Sequence, residues 1–323
     1  MFTLTQALFA VSSILEPSAR FSRPKIKLKD GILYVYNGQV AAHAPFTANL
    51  PPAPLVLDAE AFRKVWTDQS RADIKDDALV IKTRRTQYKI PFTHEFDFDC
   101  PTIVPGGRPL SEKTRAAIHM AANFASENAI HPWACGVALH KSRAIATNNI
   151  AVVSVECDDT DQLEGTLPFW AVKAIRATGT PPLIRLDKSG VILTYGDGVV
   201  LWSMPLAVEM PAKLFELVAD LAWADVPSAP LREALGDAFA LGGKHCKLDL
   251  TNGVVSVTAE HGFSTETRLE QSTGDYPVVT LQDNVARLIF EHATAIGFDQ
   301  APGKLVFSRD IAPRFLGLCA AMT

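Results

Sequence analysis

The sequence predicts an α+β fold of three pseudo-repeated domains, each with outer β-sheets and two inner helices. Three observations predict it. Short alternating strands and short amphipathic helices interleave along the whole chain. The order helix–strands–helix–strands recurs three times, at a spacing of roughly 100–115 residues. Each helix is only about 10–15 residues long with a single apolar stripe, so it must lie on a sheet to be stable. The expected domains are 1–107, 108–208 and 209–323.

The first domain opens with a helix from Thr5 to Leu15, whose Ala7, Leu8, Val11, Ile14 and Leu15 fall at helical spacing. Strands follow at KIKLKDG, ILYVYNG and VAAHAPFTANL. LVLDAEAFRKVWTDQ then supplies a strand end, Asp58 as N-cap and a second helix, and ALVIKTRRTQYKIPF closes the domain as a hairpin.

The second domain begins with a helix from Ser111, a suitable N-cap, to Ala125. ACGVALHKSRAIATNNIAVVSVE reads as strand–turn–strand, and TLPFWAVKAIRATG as a helix with Pro168 suited to its first turn. PLIRLDKSGVILTYGDGVVLWSMPL gives three strands with Lys-Ser-Gly and Gly-Asp-Gly turns. MPAKLFELVADLAWADVP fits either a short helix or an extended connector. The third domain has helices at Leu231–Leu241 and Leu281–Ala293, a hairpin signalled by Asn252-Gly253, and closing strands KLVFSRD and RFLGLCAAM.

Of the 323 residues 48% are hydrophobic and 20% charged, ample for a core, and the net charge is −4. Any nucleic-acid contact must therefore come from local patches. The five cysteines (Cys100, Cys135, Cys157, Cys246, Cys319) are scattered and form no C-x-x-C pair, which argues against a disulfide framework or a zinc site. No apolar run is long enough to span a membrane, and the apolar N-terminus lacks the basic start of a signal peptide, so a cytoplasmic location is expected.

Several enzyme readings fail on spacing. The chain has no P-loop, no nucleophile elbow, no dinucleotide fingerprint and no metal-binding histidine pair. His131 and His292 read as structural, and the glycines of YGDGVV suit a tight turn. Asp158, Asp159 and Asp161 form a solvated loop cluster without the glycine and terminal glutamate of a calcium loop. No catalysis and no cofactor are expected.

The repeated pattern resembles the bacterial and phage DNA polymerase III beta-subunit sliding clamps. NAIHPWACGVALHKSRAIATNNIAVVSVE carries the resemblance best, with Gly136 and the Ala146-Thr147 pair where that family has Gly and Ala-Thr. Met210-Pro211 stands at its Phe-Pro, and RFLGLCAAMT resembles its apolar terminal strand. The resemblance covers the whole chain in element order. It implies a non-enzymatic processivity factor whose head-to-tail homodimer encircles duplex DNA without reading sequence. Its partners would be a DNA polymerase, a clamp loader and a second copy of itself.

Such a ring needs cations on its helices. Every expected helix but the first offers them: Arg63 and Lys64, Lys113 and Arg115, Lys173 and Arg176, Arg232, and Arg287. Arg20, Arg23 and Lys25 follow the first helix. One exposed helical cation alone is ordinarily a solvated face; the recurrence is what points to phosphate. The resemblance further implies a partner-peptide pocket at Ala134, Thr147, Asn148, Asn149, Ile150, Pro211, Leu217 and Leu318, joined by Met322. Here Asn148-Asn149-Ile150 departs from the family's Asp-Gly-His-Arg-Leu. It also implies a dimer joint with Tyr88 and Ile90 on one side and Ala240 and Leu241 on the other.

Overall fold

The computed structural model describes residues 2–11, 25–36, 40–51, 54–93, 105–126, 129–158, 163–177, 182–187, 190–203, 209–219, 221–222, 224–240, 243–259, 262, 264–269, 276–298 and 303–322. Seven α-helices occur among them: α1 (Leu4–Ala10), α2 (Ala59–Val65), α3 (Glu112–Ala122), α4 (Phe169–Ala177), α5 (Ala212–Ala219), α6 (Ala229–Ala240) and α7 (Asp283–His292). Among the described residues no helix is long and apolar enough to cross a membrane. The chain divides into two compact units, Met1–Leu110 with Lys173–Pro205, and Ser111–Val172 with Leu206–Thr323.

In the first unit α1 starts at a capping box. Thr3 Oγ1 accepts the Gln6 N–H (3.3 Å) and Gln6 Oε1 accepts the Thr3 N–H (2.9 Å). Leu4, Ala7, Leu8 and Val11 are buried, at helical spacing. The expected extension through Leu15 lies outside the described residues. Asp58 caps α2 as expected, its Oδ1 accepting the Ala61 N–H at 2.8 Å. Phe62 is fully buried and stacks on Trp66.

A nine-stranded sheet takes the order Leu55–Asp58, Lys25–Lys29, Ile32–Tyr36, Val40–Thr47, Val200–Ser203, Gly190–Thr194, Leu183–Asp187, Arg108–Pro109, with Phe2–Thr3 beside Val40–Thr47. Its central joint is antiparallel, with Val40 opposite Ser203 and His43 opposite Val200. The Gly-Asp-Gly turn forms as expected, with Gly198 at φ +90°. A separate three-stranded sheet comprises Arg71–Lys75, Ala78–Lys82 and Gln87–Pro91. Its first strand is additional to the hairpin expected from sequence. Asp76 and Asp77, both at positive φ, turn it into the second strand.

In the second unit Ser111 caps α3, accepting the Thr114 N–H at 3.1 Å. An eight-stranded sheet runs Gly165–Pro168, Gly136–His140, Arg143–Thr147, Ala151–Glu156, Phe315–Ala320, Lys304–Arg309, Ala295–Phe298, Val226–Pro227. The joint between Ala151–Glu156 and Phe315–Ala320 is again antiparallel. Gly317 has no substitute there, because a Cβ would sit 2.2 Å from the Phe307 ring. That ring stacks on Phe124 at 5.4 Å. Pro168 ends a strand, paired with Gly136, instead of entering α4, which begins one residue later.

A four-stranded sheet, Ser264–Arg268, Val254–Thr258, His245–Asp249, Val279–Gln282, completes the unit. Its hairpin turns at Asn252-Gly253, with Gly253 at φ +64°. The segment that fitted either helix or connector folds as α5.

Candidate functional site

The helical cations differ in what already holds them. Arg63 and Lys64 are exposed in the last turn of α2, where positive charge is favoured by the helix dipole. Lys64 pairs with Glu60 at 2.6 Å, an exposed i,i+4 contact worth little in water. Arg63 has no ion pair among the described residues. Lys25 is exposed at the start of the strand Lys25–Lys29 rather than in a loop. Arg20 and Arg23 lie outside the described residues. In α4, Lys173 is half-buried and Arg176 exposed. Desolvation lowers the Arg176 pKa from the ordinary arginine value, but a guanidinium keeps its proton at physiological pH.

In α3, Lys113 reaches Asp158 at 2.7 Å, and that hydrogen bond raises the lysine pKa. Arg115 is half-buried, 3.7 Å from Glu112. Arg232 in α6 donates from Nε to the Phe290 carbonyl (2.6 Å) and from Nη2 to the Ala293 carbonyl (3.0 Å). It thereby satisfies backbone acceptors at the end of α7. Arg287 binds Asp283 at 2.6 Å. Arg232 thus ties α6 to the end of α7, Arg287 and Lys64 each pair within their own helix, and Arg63 stands exposed.

The residues assigned to the partner pocket separate by exposure. Ala134, Thr147 and Leu318 are buried, at 0%, 3% and 7% exposure. Leu217 and Met322 are exposed at 41% and 42%, and Pro211 is exposed as well. Asn148 Oδ1 accepts the Ile150 and Ala151 N–H groups (3.1 and 2.8 Å), while Thr147 Oγ1 accepts the Asn149 N–H (3.1 Å). Asn149 takes φ +74°, so the altered turn is shaped by its own side chains.

Leu318 belongs to an apolar cluster with Ala138, Ile145, Val152, Met210, Val218 and Val306. Trp133, Leu214, Phe215, Leu221 and Ala224 pack against it, and the Phe215 ring lies 4.7 Å from that of His140. Apart from Leu318, sequence reasoning did not single out this cluster. The signal was present in Ala151–Glu156, which is apolar on both faces and so must be covered twice.

Two sheet edges bear on the expected joint. Gln87–Pro91 is an edge of the three-stranded sheet, with Tyr88 37% exposed and Ile90 buried. Ser264–Arg268 is an edge of the four-stranded sheet and was not singled out from sequence. Ala240 ends α6, and Leu241 lies outside the described residues.

Among the described residues no group of three or more His, Cys, Asp or Glu could hold a metal ion. His131 stacks on Trp133 at 5.1 Å, and His292 contacts Asn123 at 3.1 Å. Asp158 is engaged by Lys113, while Asp159, Asp161 and Cys100 lie outside the described residues. Burial pushes the Cys246 and Cys319 thiols up to about 12, which disfavours the thiolate.

No family model matches the sequence, and no curated protein matches it. Solved structures do match over nearly the full length. The Bartonella birtlesii sliding clamp bound to griselimycin gives a TM-score of 0.79 at 13% identity, covering 99% of this chain and 97% of that one. The Thermotoga maritima DNA polymerase III beta subunit gives 0.75 at 17%, with the same coverage. The Helicobacter pylori beta clamp bound to a DNA ligase peptide gives 0.72 at 11%, again with that coverage. The chain has the sliding-clamp fold. Within that fold stand the two antiparallel sheet joints and the buried apolar cluster of Val152 and Leu318.

Proposed function

We propose that this chain is a DNA sliding clamp. Two copies join head to tail around duplex DNA and tether a polymerase placed by a clamp loader. The chain is read as three clamp domains, 1–107, 108–208 and 209–323, with no catalysis of its own, acting in the cytoplasm.

The observation that carries this reading is a repeated sheet joint with one member left open. Val40–Thr47 pairs with Val200–Ser203, and Ala151–Glu156 pairs with Phe315–Ala320. By repeat order, the third such pair would be Ser264–Arg268 with Gln87–Pro91, yet both are sheet edges among the described residues. An unpaired edge is a template for another strand. Pairing these edges between copies is heterologous, and closure after two copies gives a ring. Tyr88 and Ile90 lie on one of these edges, and Ala240, the last residue of α6, is assigned with Leu241 to the other side.

The lining is assigned to Lys25, Arg63, Lys64, Lys113, Arg115, Lys173 and Arg176, with Arg20 and Arg23. Contacts of this kind bind phosphate without reading bases and weaken steeply with salt, which suits sliding. Retention then comes from topology. The Helicobacter pylori clamp with its ligase peptide supports a peptide partner for the Leu318 groove. The test is retention on nicked circular DNA, with release when the circle is cut. Dissociation at the same rate from both would sink the ring.

A second reading, a clamp-fold scaffold that binds proteins but not DNA, is favoured by the acidic net charge of −4. Neutralising Arg63, Lys64, Lys173 and Arg176 together separates the two. Loss of loading supports the DNA clamp, and unchanged loading removes its electrostatic basis.

A further inference from the structure

The nine-stranded sheet carries an aromatic and basic face. Along Lys25–Lys29 and Ile32–Tyr36 successive side chains turn to opposite sides. Ile26, Leu28, Leu33 and Val35 are buried on one side, so Lys25, Lys27, Lys29, Tyr34 and Tyr36 share the other. The register sets them in rows. Lys25 stands opposite Tyr36, Tyr36 opposite Ala41, and Ala41 opposite Trp202. Lys27 stands opposite Tyr34, and Tyr34 opposite His43, with 6.3 Å between the last two rings. Tyr34, Tyr36, His43 and Trp202 are all half-buried, and Tyr36 and Trp202 rest on Ala41, Ile192 and Val200.

The matching face of the other joint is built differently. The Phe46 N–H donates to the Gly31 carbonyl (2.8 Å) as the Cys157 N–H donates to that of Ser142 (3.0 Å), which aligns the two repeats. Tyr34 then corresponds to Ile145 and Ala41 to Val152. Trp202 and Leu318 correspond, because they stand opposite Ala41 and Val152. Ile145, Val152 and Leu318 are buried in the apolar cluster packed against α5. Core packing accounts for that face. It does not account for half-exposed tyrosines, a histidine and a tryptophan flanked by a row of lysines. Two carboxylates lie near those lysines. Asp58, opposite Lys25, caps α2 through the Ala61 N–H, and Asp30 forms an exposed pair of little worth with Lys29 at 3.9 Å.

We infer that this face is a site for single-stranded DNA. Bases stack on Tyr34, Tyr36 and Trp202 while phosphates run along Lys27 and Lys29. Aromatic faces accept any base and lysines any phosphate, so the strand is held without sequence preference. Paired bases are stacked inside a duplex and do not reach the rings. The choice of DNA over RNA rests on the clamp reading, which brings the chain beside unpaired template; the stacking face itself does not. Lys25 shares the face but is assigned above to the ring lining, so the test leaves it unaltered.

The probe is a short fluorescent oligothymidylate, titrated against the full-length protein by anisotropy at several salt concentrations. Y34L/Y36L keeps apolar bulk and removes the rings. It should bind about fivefold or more weakly, with an unchanged salt slope. K27A/K29A should lower that slope by about 1.4, from two phosphate contacts at about 0.7 each. Unchanged affinity in a folded Y34L/Y36L protein would overturn the site. Should that variant fail to fold, unchanged affinity and slope in K27A/K29A would overturn it alone.

Tighter binding of the matching oligouridylate would overturn the assignment to DNA. Competition by polyglutamate as strong as that by unlabelled oligothymidylate would mean a site for acidic peptide and would overturn the proposal. A linear oligonucleotide needs no closed ring, and retention on nicked circles needs neither tyrosine, so a failed stacking site and a failed ring are separately visible.

Discussion

Val152 stands directly opposite Leu318 across the antiparallel joint between Ala151–Glu156 and Phe315–Ala320. Both side chains enter the apolar cluster packed against α5, so one pair of residues ties the sheet together and holds the helix on it. Its loss should be felt as stability first. Leu318→Ala removes a nearly buried side chain and leaves a cavity, which should cost about 2–4 kcal/mol. Urea unfolding should show a lower midpoint with an unchanged slope. A midpoint equal to the parent's would mean that the cluster is loosely packed.

The two classes of helical arginine should separate by experiment. Arg232→Ala strips hydrogen bonds from the Phe290 and Ala293 carbonyls and should cost about 1–3 kcal/mol of stability. It should leave the salt dependence of DNA retention as it was. Arg63→Ala should do the reverse, with a change in stability within about 0.5 kcal/mol and a shallower salt slope. The check is a thermal melt and a salt titration on each variant. Matching behaviour of the two would refute the distinction drawn from their partners.

The buried thiols give a pH dependence whose sign is fixed. Cys246 and Cys319 are pushed up to about 12 by burial, against about 8.5 for an unfolded cysteine. Between those values the folded chain holds protons that the unfolded chain releases, so this stabilisation is full below about pH 8.5 and is lost as pH rises towards 12. The urea midpoint should therefore fall from pH 8 to pH 10.5. A thiol reagent at pH 8 should modify half-buried Cys135 well before Cys246 or Cys319. Rapid native modification of Cys246 would contradict its burial.

The fold was largely legible because its signals are local. Asp58 and Ser111 cap helices as read, Asn252-Gly253 turns a hairpin, and the apolar stripe of α1 matches its buried face. Arg71–Lys75 was missed because its residues are largely exposed, so no buried alternation marks it. The site was less legible. Whether an exposed arginine waits for phosphate or caps a helix depends on carbonyls far along the chain, as with Arg232 and Phe290. The apolar cluster under α5 is likewise assembled from residues as distant as Ala138 and Leu318, and α5 could not be placed on it from its own eight residues.

The joint between copies can be tested at the level of faces. Val255 and Val257, both buried, pair with Thr267 and Thr265, so Ser264, Glu266 and Arg268 point to the other face of that strand. Leu79 and Ile81, fully buried, pair with Ile90 and Tyr88, so Gln87 and Lys89 point to the other face of theirs. Side chains alternate with a period of two, and within the chain like faces meet, as Val152 meets Leu318. Lys89 of one copy should therefore share a face with Glu266 of the next, with opposite charges adjacent. Mixing a Lys89→Cys protein with a Glu266→Cys protein should give a dimer-sized product with a short bismaleimide, beyond the background of the parent. Neither variant alone should, since the joint is heterologous. Thr267→Cys, on the opposite face, should crosslink to Lys89→Cys far less. Efficient crosslinking within a single variant would instead mean that like edges meet, and a head-to-tail ring could not form.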